Sequence, residues 1–191
     1  MDIEQARFNM VEQQIRTWEV LDQDILDLLF TVRREEFVPA AYRSLAFADL
    51  EIPLGDGQKM WAPRMEARVL QDLRLRPGKS VLEIGTGSGY LTALLASRGA
   101  RVTSVEILPR LAEEAKARLA RAGFRDVDLR TGDGARGFSA ASFDAIVLTG
   151  STPILPDALV AQLKPGGRLF AVVGFPLDVT APLVLYTGPG A

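Results

Sequence analysis

Histidine and cysteine are both absent from this chain of 191 residues. Their absence excludes thiol nucleophiles, imidazole general bases, disulfide bonds and zinc sites built from these two residue types. No other grouping of residues suggests a metal site, and we expect none. Any general base would have to be a carboxylate, an amine or a tyrosine hydroxyl.

Basic clusters and long hydrophobic runs are also missing. The 22 Lys and Arg residues are balanced by 24 Asp and Glu residues, which gives a net charge of −2. This balance argues against a nucleic-acid ligand, because phosphate neutralisation needs several cations on one surface. No segment has the length and hydrophobicity of a membrane span. The first residues do not resemble an export signal, and we expect a cytoplasmic protein without membrane partners.

Short apolar segments alternate with helical patterns over most of the chain. The periodicity predicts helices over residues 3–18, 22–34, 64–73, 90–98, 109–122 and 156–163, and strands over residues 81–84, 101–107, 127–131, 143–149 and 183–187. Residues 163–173 are predicted to form a turn followed by a further strand. Such alternation is typical of parallel sheets covered by helices on both faces. The sequence therefore predicts an α/β fold with a Rossmann-like, doubly wound, mainly parallel sheet and N-terminal helices. It also predicts that residues 33–36 are the solvated end of the second helix.

Three alternating glycines follow the first predicted strand. Glycines at this point let a nucleotide-like cofactor approach the backbone. A dinucleotide fingerprint needs a glycine where this chain has Tyr90, which disfavours a pyrophosphate. The spacing instead favours S-adenosylmethionine, which carries a sulfonium and no phosphate. The predicted cofactor site contains Glu83, Gly85, Thr86, Gly87, Ser88 and Gly89.

Acidic residues follow the next two predicted strands. Glu106 is placed to accept both hydroxyls of a ribose, and Asp133, between two glycines, to accept the adenine amino group. The carboxyl ends of parallel strands meet at one edge of a sheet, so we expect these acids to border the glycine loop. They extend the predicted cofactor site by Glu106, Ile107, Asp133 and Gly134.

These motifs resemble those of the protein-L-isoaspartate O-methyltransferases. The cofactor portion, residues 81–90 and 132–134, is shared by many methyltransferases. Two blocks ahead of the first strand, residues 37–42 (FVPAAY) and 52–58 (IPLGDGQ), narrow the resemblance to this family. The similarity extends over nearly the whole chain, through residues 143–147 and 163–167.

The resemblance implies transfer of a methyl group from S-adenosylmethionine to the carboxylate of an isoaspartyl residue, with S-adenosylhomocysteine as product. The methyl ester then cyclises to a succinimide, which allows repair. A carboxylate acceptor is already ionised at neutral pH, because carboxyl pKa values lie near ~4, so no general base is required. The implied substrate is a peptide or protein carboxylate, and we expect a monomer or weak dimer.

The predicted organisation is one methyltransferase domain over residues 1–191. Residues 1–72 are expected to form the N-terminal helical layer and the acceptor-side loop. Residues 73–191 are expected to form the S-adenosylmethionine-binding core. Relatives usually continue beyond the point where this chain stops, which suggests a truncated C-terminal end.

The acceptor loop departs from the family pattern. After Gly57-Gln58 the family usually has a Thr-Ile-Ser-x-Pro segment, whose serine is thought to orient the acceptor, whereas this chain has Trp61 at the serine position. Arg64 follows the retained proline, and its planar guanidinium could hold a carboxylate through two hydrogen bonds. Trp61 and Arg64 are therefore the position-matched candidate catalytic residues. Alternatively, Arg64 only starts a helix and pairs with Glu66 or solvent.

Two other functions stay open on the sequence. A methyltransferase with a different acceptor would keep the cofactor residues and change the loop around Trp61, and for an alcohol or amine acceptor Asp56 and Lys59 are candidate bases. A non-catalytic S-adenosylmethionine-binding protein would also keep the glycine loop. A nicotinamide oxidoreductase is disfavoured by Tyr90.

Overall fold

A computed structural model describes residues 2–138, 141–174 and 183–190. Its helices are α1 (Ile3–Met10), α2 (Gln23–Thr31), α3 (Pro63–Leu73), α4 (Tyr90–Ser97), α5 (Pro109–Arg121) and α6 (Asp157–Val160). Its strands are β1 (Ile52–Gly55), β2 (Gln58–Met60), β3 (Ser80–Ile84), β4 (Arg101–Glu106), β5 (Asp128–Thr131), β6 (Phe143–Thr152), β7 (Leu163–Val173) and β8 (Leu183–Thr187).

Six strands form one sheet in the order β5-β4-β3-β6-β7-β8. Strands β3 to β7 are parallel to their neighbours, and β8 runs antiparallel to β7. The strand order reverses on either side of β3, so the loops after β3 and β6 diverge and leave a crevice at the carboxyl edge. The predicted α/β, Rossmann-like, mainly parallel fold is confirmed. Strands β1 and β2 form a separate antiparallel hairpin.

The helices begin and end where local chemistry allows. Pro63 and Pro109 occupy the first turns of α3 and α5, where a missing N–H costs nothing. The glycine loop leads into α4, because Gly89, the residue before the helix, has a left-handed conformation with φ of 86°.

Apolar faces of the helices pack against both sides of the sheet and form two hydrophobic clusters. The first predicted strand, residues 81–84, is therefore buried on both faces, and Glu83 is the one polar residue within it.

The N-terminal region differs from the predicted pair of regular helices. The first helical stretch is α-helical only to Met10, continues as a π-helix over Val11–Ile15 and ends as a 3-10 turn over Arg16–Trp18. The second helix ends at Thr31 rather than Arg34. The predicted helix over residues 156–163 shortens to α6, since Leu163 already belongs to β7.

The prediction that residues 33–36 form a solvated helix end was wrong. Arg34 and Glu35 are buried, with 0% and 6% of their surface exposed. Arg34 pairs with Glu66 of α3, and Arg7 of α1 pairs with Glu35 at 2.8 Å. Each buried charge is thus compensated by an opposite charge from a distant part of the sequence, which is the condition under which such burial is tolerated.

Within the described ranges, none of the helices has the length and hydrophobicity needed to span a membrane. The same residues contain no group of three or more potential ligands that could hold a metal ion.

Candidate active site

A cavity of about 240 Å³ opens at the carboxyl edge of the sheet, above β3, β4 and β6. Residues of the glycine loop, of the β1-β2 hairpin and of the start of α3 line it. Ten of the twelve predicted site residues line this cavity, and Gly89 and Arg64 do not. The ten are Trp61, Glu83, Gly85, Thr86, Gly87, Ser88, Glu106, Ile107, Asp133 and Gly134.

The backbone of the glycine loop takes a shape that other residues rarely adopt. Gly85 has a φ of 95°, and a Cβ there would lie 2.2 Å from Oγ1 of Thr149. That hydroxyl donates to the carbonyl oxygens of Ile84 and Gly85, at 3.0 and 2.7 Å, and ties β6 to the loop. Gly89 contributes to packing. Its Cα faces Ala115 and Leu119 of α5, and the absence of a side chain allows the two helices to pack closely. Its place in the motif therefore reflects packing next to the cavity.

Glu83 is fully buried on β3. Its Oε2 accepts hydrogen bonds from Thr92 at 2.5 Å and Ser104 at 2.6 Å. Its Oε1 is buried and has no partner among the residues that the structure describes. Burial raises the pKa of Glu83 to about 7, although the bonds from Ser104 and Thr92 oppose the rise, and the charge of Glu106 adds to it. A buried acceptor without a donor, on a residue that lines the cavity, suits a cationic ligand such as an ammonium group.

Glu106 ends β4 and supports the glycine loop directly. Its Oε2 accepts from the Gly87 N–H at 2.8 Å, and its Oε1 accepts from the Leu108 N–H at 3.1 Å. Each carboxylate oxygen has two lone pairs, so both oxygens can still accept from the hydroxyls of a ribose. Ile107 follows, with 61% of its surface exposed, and offers an apolar face to a flat ring.

Asp133 and Gly134 close the cavity beyond β5. Oδ1 of Asp133 accepts from the Ala135 N–H at 3.0 Å, which leaves Oδ2 near the exposed guanidinium of Arg136 at 3.8 Å. A Cβ on Gly134 would lie 3.2 Å from the side chain of Ile84. Because Gly134 has no side chain, its backbone lies close to the end of β3. An adenine ring bound there could donate a hydrogen bond from its amino group to Asp133.

The acceptor side of the cavity contains Trp61 but not Arg64. The indole of Trp61 packs edge-on against Phe170 of β7, with ring centroids 6.2 Å apart. Arg64 pairs with Asp49 at 2.8 Å, and its guanidinium lies 4.4 Å from the centre of the Trp18 ring. This placement supports the alternative in which Arg64 packs at the start of α3, although its partners are Asp49 and Trp18 instead of Glu66.

The two candidate bases of the loop are both in ion pairs, and Lys59, unlike Asp56, lines the cavity. Asp56 pairs with Arg110 at 2.8 Å, and Lys59 pairs with Glu51 at 3.2 Å. Both pairs are solvent-exposed. Because Asp56 lies outside the cavity, it is not placed to act as a base there.

Sequence reasoning missed four polar residues that shape the site. Thr92 and Ser104 hold Glu83, Thr149 holds the glycine loop, and Glu66 lines the cavity from α3. Ser104 carried a weak signal, since it is one of two neighbouring polar residues, with Thr103, between valines of a predicted strand. Glu66 carried none, because the first turn of a helix is where exposed acids are common.

Two solved structures share this architecture. A putative protein-L-isoaspartate O-methyltransferase from Plasmodium falciparum in complex with S-adenosyl-L-homocysteine superimposes with a TM-score of 0.80 at 20% identity, over 98% of this chain and 90% of that one. Another protein-L-isoaspartate O-methyltransferase superimposes with a TM-score of 0.79 at 26% identity, over 97% of this chain and 60% of that one. The fold and the cavity define a class I S-adenosylmethionine-dependent methyltransferase.

Sequence comparison identifies the family. The sequence model described as Protein-L-isoaspartate(D-aspartate) O-methyltransferase (PCMT) matches residues 5–184. The protein-L-isoaspartate O-methyltransferase of Methylorubrum populi is 43% identical over 185 residues, 96% of this chain and 87% of that protein. Its counterpart from Gloeobacter violaceus is 42% identical over 182 residues, 95% of this chain and 89% of that protein. The chain belongs to the protein-L-isoaspartate O-methyltransferase family.

These findings confirm the predicted family and the predicted enzyme class, an S-adenosylmethionine-dependent O-methyltransferase. They do not favour a changed acceptor or a non-catalytic binding protein. The family acts on protein substrates, which agrees with the predicted substrate class.

Proposed function

We propose that this chain moves the methyl group of S-adenosylmethionine to the side-chain carboxylate of an isoaspartyl residue in a peptide or protein. The single observation that supports this most is the cavity at the carboxyl edge of β3 and β4. Its lining includes the glycine loop, Glu83, Glu106, Asp133 and Trp61 of the acceptor segment.

The proposed roles follow from the contacts of each residue. Glu106 accepts the two ribose hydroxyls, because both of its oxygens retain a lone pair beside the loop N–H groups. Asp133 accepts from the adenine amino group, and Ile107 packs against the ring. Glu83 receives the ammonium group of the methionine end on its unpartnered Oε1.

When bound, S-adenosylmethionine supplies a methyl group activated by a sulfonium. The acceptor carboxylate carries the electron pair that forms the new C–O bond, while the C–S pair stays with sulfur. No proton has to move, which is consistent with a chain that has no histidine. The residues of the cavity therefore act by alignment and exclusion of water.

Trp61 is proposed to form the acceptor-side wall. Its contact with Phe170 holds the indole against the sheet, and its neighbours Met60 and Leu54 add apolar surface to the cavity. An apolar wall that excludes water strengthens the attraction between a carboxylate and a sulfonium, because the local dielectric constant is lower than in water.

We also propose that the active form is a monomer or weak dimer, which sedimentation at several concentrations would test.

The direct test is transfer of labelled methyl groups to two peptides that differ in one linkage. One contains L-isoaspartate and the other contains normal aspartate at the same position. We expect label in the isoaspartyl peptide alone, as a base-labile methyl ester. Equal label in both peptides, or label in neither, would contradict the proposed acceptor.

A matched pair of variants distinguishes the loss of a charge in the cavity from the loss of a charge on the exposed surface. Glu106→Gln removes a charge from the proposed ribose contact, whereas Glu113→Gln removes one from an exposed position on α5. We expect the first variant to raise the KM for S-adenosylmethionine by at least about tenfold, the value of a lost charge-assisted bond. The second variant should behave like the wild type.

A further inference from the structure

A second buried carboxylate, Glu66, lines the cavity in addition to Glu83. Glu66 projects from the first turn of α3, and only 2% of its surface is exposed. Nη1 of Arg34 donates to its Oε2. The ion pair with Arg34 does not explain why Glu66 also borders the cavity.

Glu66 and Glu83 line the same cavity, and the charge of Glu83 acts on the ionisation of Glu66. Burial raises the pKa of Glu66 to about 8, although Arg34 opposes this, and the charge of Glu83 adds to the rise. The other ionisable group facing Glu66 is the buried hydroxyl of Tyr90, whose own pKa burial raises. When both acids are ionised, they outnumber Arg34, and the buried Glu106 adds a further negative charge beside Glu83. The cation that lines the cavity, Lys59, pairs with Glu51.

Glu83, which lines the cavity, has a buried acceptor that no donor of the described residues satisfies, its Oε1. The residues that face Glu83 are the hydroxyls of Ser104 and Thr92, which occupy Oε2, and Glu106, which adds negative charge. A buried oxygen without a donor and an excess of negative charge both call for a cationic donor. The methionine end of the methyl donor carries one, its α-ammonium group.

We propose that Glu66 is a second anionic contact for the ammonium group of the methyl donor, beside Glu83, and that donor binding drives protons out of this pair into solution. The proposal rests on the proposed function, because it assumes that the methyl donor occupies this cavity. The ammonium replaces a proton as the counter-charge of the two carboxylates, so a carboxylic acid becomes a carboxylate and its proton passes to the buffer. Glu66 is then a cofactor-binding residue as well as the partner of Arg34.

Calorimetry on the wild-type protein tests the release of protons without any variant. Binding of S-adenosylhomocysteine is measured at pH 7.5 in buffers with different ionisation enthalpies, and the slope of the observed enthalpy gives the number of protons released. We expect a measurable fraction of a proton, up to about one, since pH 7.5 lies between the two raised pKa values. 5′-Methylthioadenosine has no amino-acid end and should release none.

The variant Glu66→Gln assigns the effect to one residue. A glutamine can still accept from Arg34 but has no charge and no titration. We expect about tenfold weaker binding of S-adenosylhomocysteine, the value of one charge-assisted bond, and less than about a twofold change for 5′-methylthioadenosine. The matched control is Glu35→Gln, which makes the same change in a buried glutamate paired with Arg7 outside the cavity. It should alter neither ligand's affinity.

The outcomes separate this inference from the proposed function. If both ligands bind with no release of protons, or if Glu66→Gln weakens both equally, Glu66 serves only Arg34 and the inference is wrong. If neither ligand binds the wild type, the proposed donor site itself is wrong. Selective weakening of the ligand that carries the ammonium, together with loss of most of the proton release, supports the assignment.

Discussion

Arg34 donates a hydrogen bond from Nη2 to the backbone carbonyl of Trp61 at 2.6 Å. The same guanidinium donates from Nε to the carbonyl of Ala46 at 2.8 Å and from Nη1 to Glu66. One buried side chain therefore connects the N-terminal helical region, the acceptor segment and α3. The rigid fork of arginine allows three such bonds at once. The shape of the acceptor side depends on this residue.

Replacing Arg34 by methionine tests that dependence. The variant leaves Glu66 buried without its counter-charge and the Trp61 carbonyl without its donor. We expect the free energy of unfolding to fall by about 3–5 kcal/mol, as measured by urea denaturation. Arg33→Met, at the exposed neighbouring position, is the control and should change it by less than about 0.5 kcal/mol. The double variant Arg34→Met with Glu66→Met should be more stable than Arg34→Met, and a double variant that is less stable would refute the pairing argument.

Alanine at Gly85 tests the fit of the glycine loop. The added Cβ would meet Thr149 Oγ1 at 2.2 Å, and the residue would keep a φ of 95° that alanine disfavours. We expect a loss of about 2–4 kcal/mol in the free energy of unfolding and loss of S-adenosylhomocysteine binding in calorimetry. Gly78→Ala has a comparable φ of 81° with no atom within 4 Å of the new Cβ. It isolates the backbone cost, about 1 kcal/mol, and a similar loss in both variants would show that the contact with Thr149 is unimportant.

Glu83→Gln should reveal a conflict between stability and binding. Because burial raises the pKa of Glu83 from its ordinary value to about 7, the neutral acid is the form that the folded protein favours. The wild type therefore loses stability, relative to the variant, as the pH rises from about 5 through 7, by about 1–3 kcal/mol in total. Urea denaturation of both ligand-free proteins between pH 5 and 8.5 measures the difference.

The Glu83→Gln variant should also bind S-adenosylhomocysteine at least about tenfold more weakly, because the contact for the ammonium has lost its charge. Glu113→Gln, on the exposed face of α5, should show the wild-type pH dependence. A constant difference in stability between Glu83→Gln and the wild type would mean that Glu83 does not titrate in this range.

Trp61→Ser tests whether the indole is a wall or an obstruction. If Trp61 forms a wall against Phe170, its removal admits water, and kcat/KM for an isoaspartyl peptide should fall by about tenfold. A rise in kcat/KM would mean that the indole fills space needed by the acceptor. Arg64→Gln is the control three residues further on, outside the cavity and held by Asp49 and Trp18. It should change kcat/KM by less than about twofold.

Part of the cofactor side could be predicted because its signals are local. The glycines, Glu83 and Glu106 lie at the ends of strands whose apolar runs are visible in the sequence, and parallel strands bring those ends to one edge. The predicted strand ends place Asp133 at the same edge. The predicted roles of these residues in cofactor binding stay predictions until the binding experiments are done.

The acceptor side could not be predicted in the same way. The run at residues 33–36 has the composition of a solvated surface. Arg34 and Glu35 are nevertheless buried, and each forms an ion pair with a residue about thirty positions away in sequence. Arg64 matched the family's acceptor position, and its side chain turned out to stack on Trp18. Pairing of this kind depends on which distant segments meet, and no local pattern records it.

The amino-acid sequence by itself determined the α/β fold, the family and the edge of the sheet that carries the glycine loop, because periodicity and turn chemistry act over neighbouring residues. Only the tertiary structure decided that Arg34 and Glu66 are buried together beside the cavity and that Glu83 has an oxygen without a donor. The physical reason is that the free energy of a buried charge depends on every group that packs around it. Those groups come from α3, β3, β4 and the N-terminal region together.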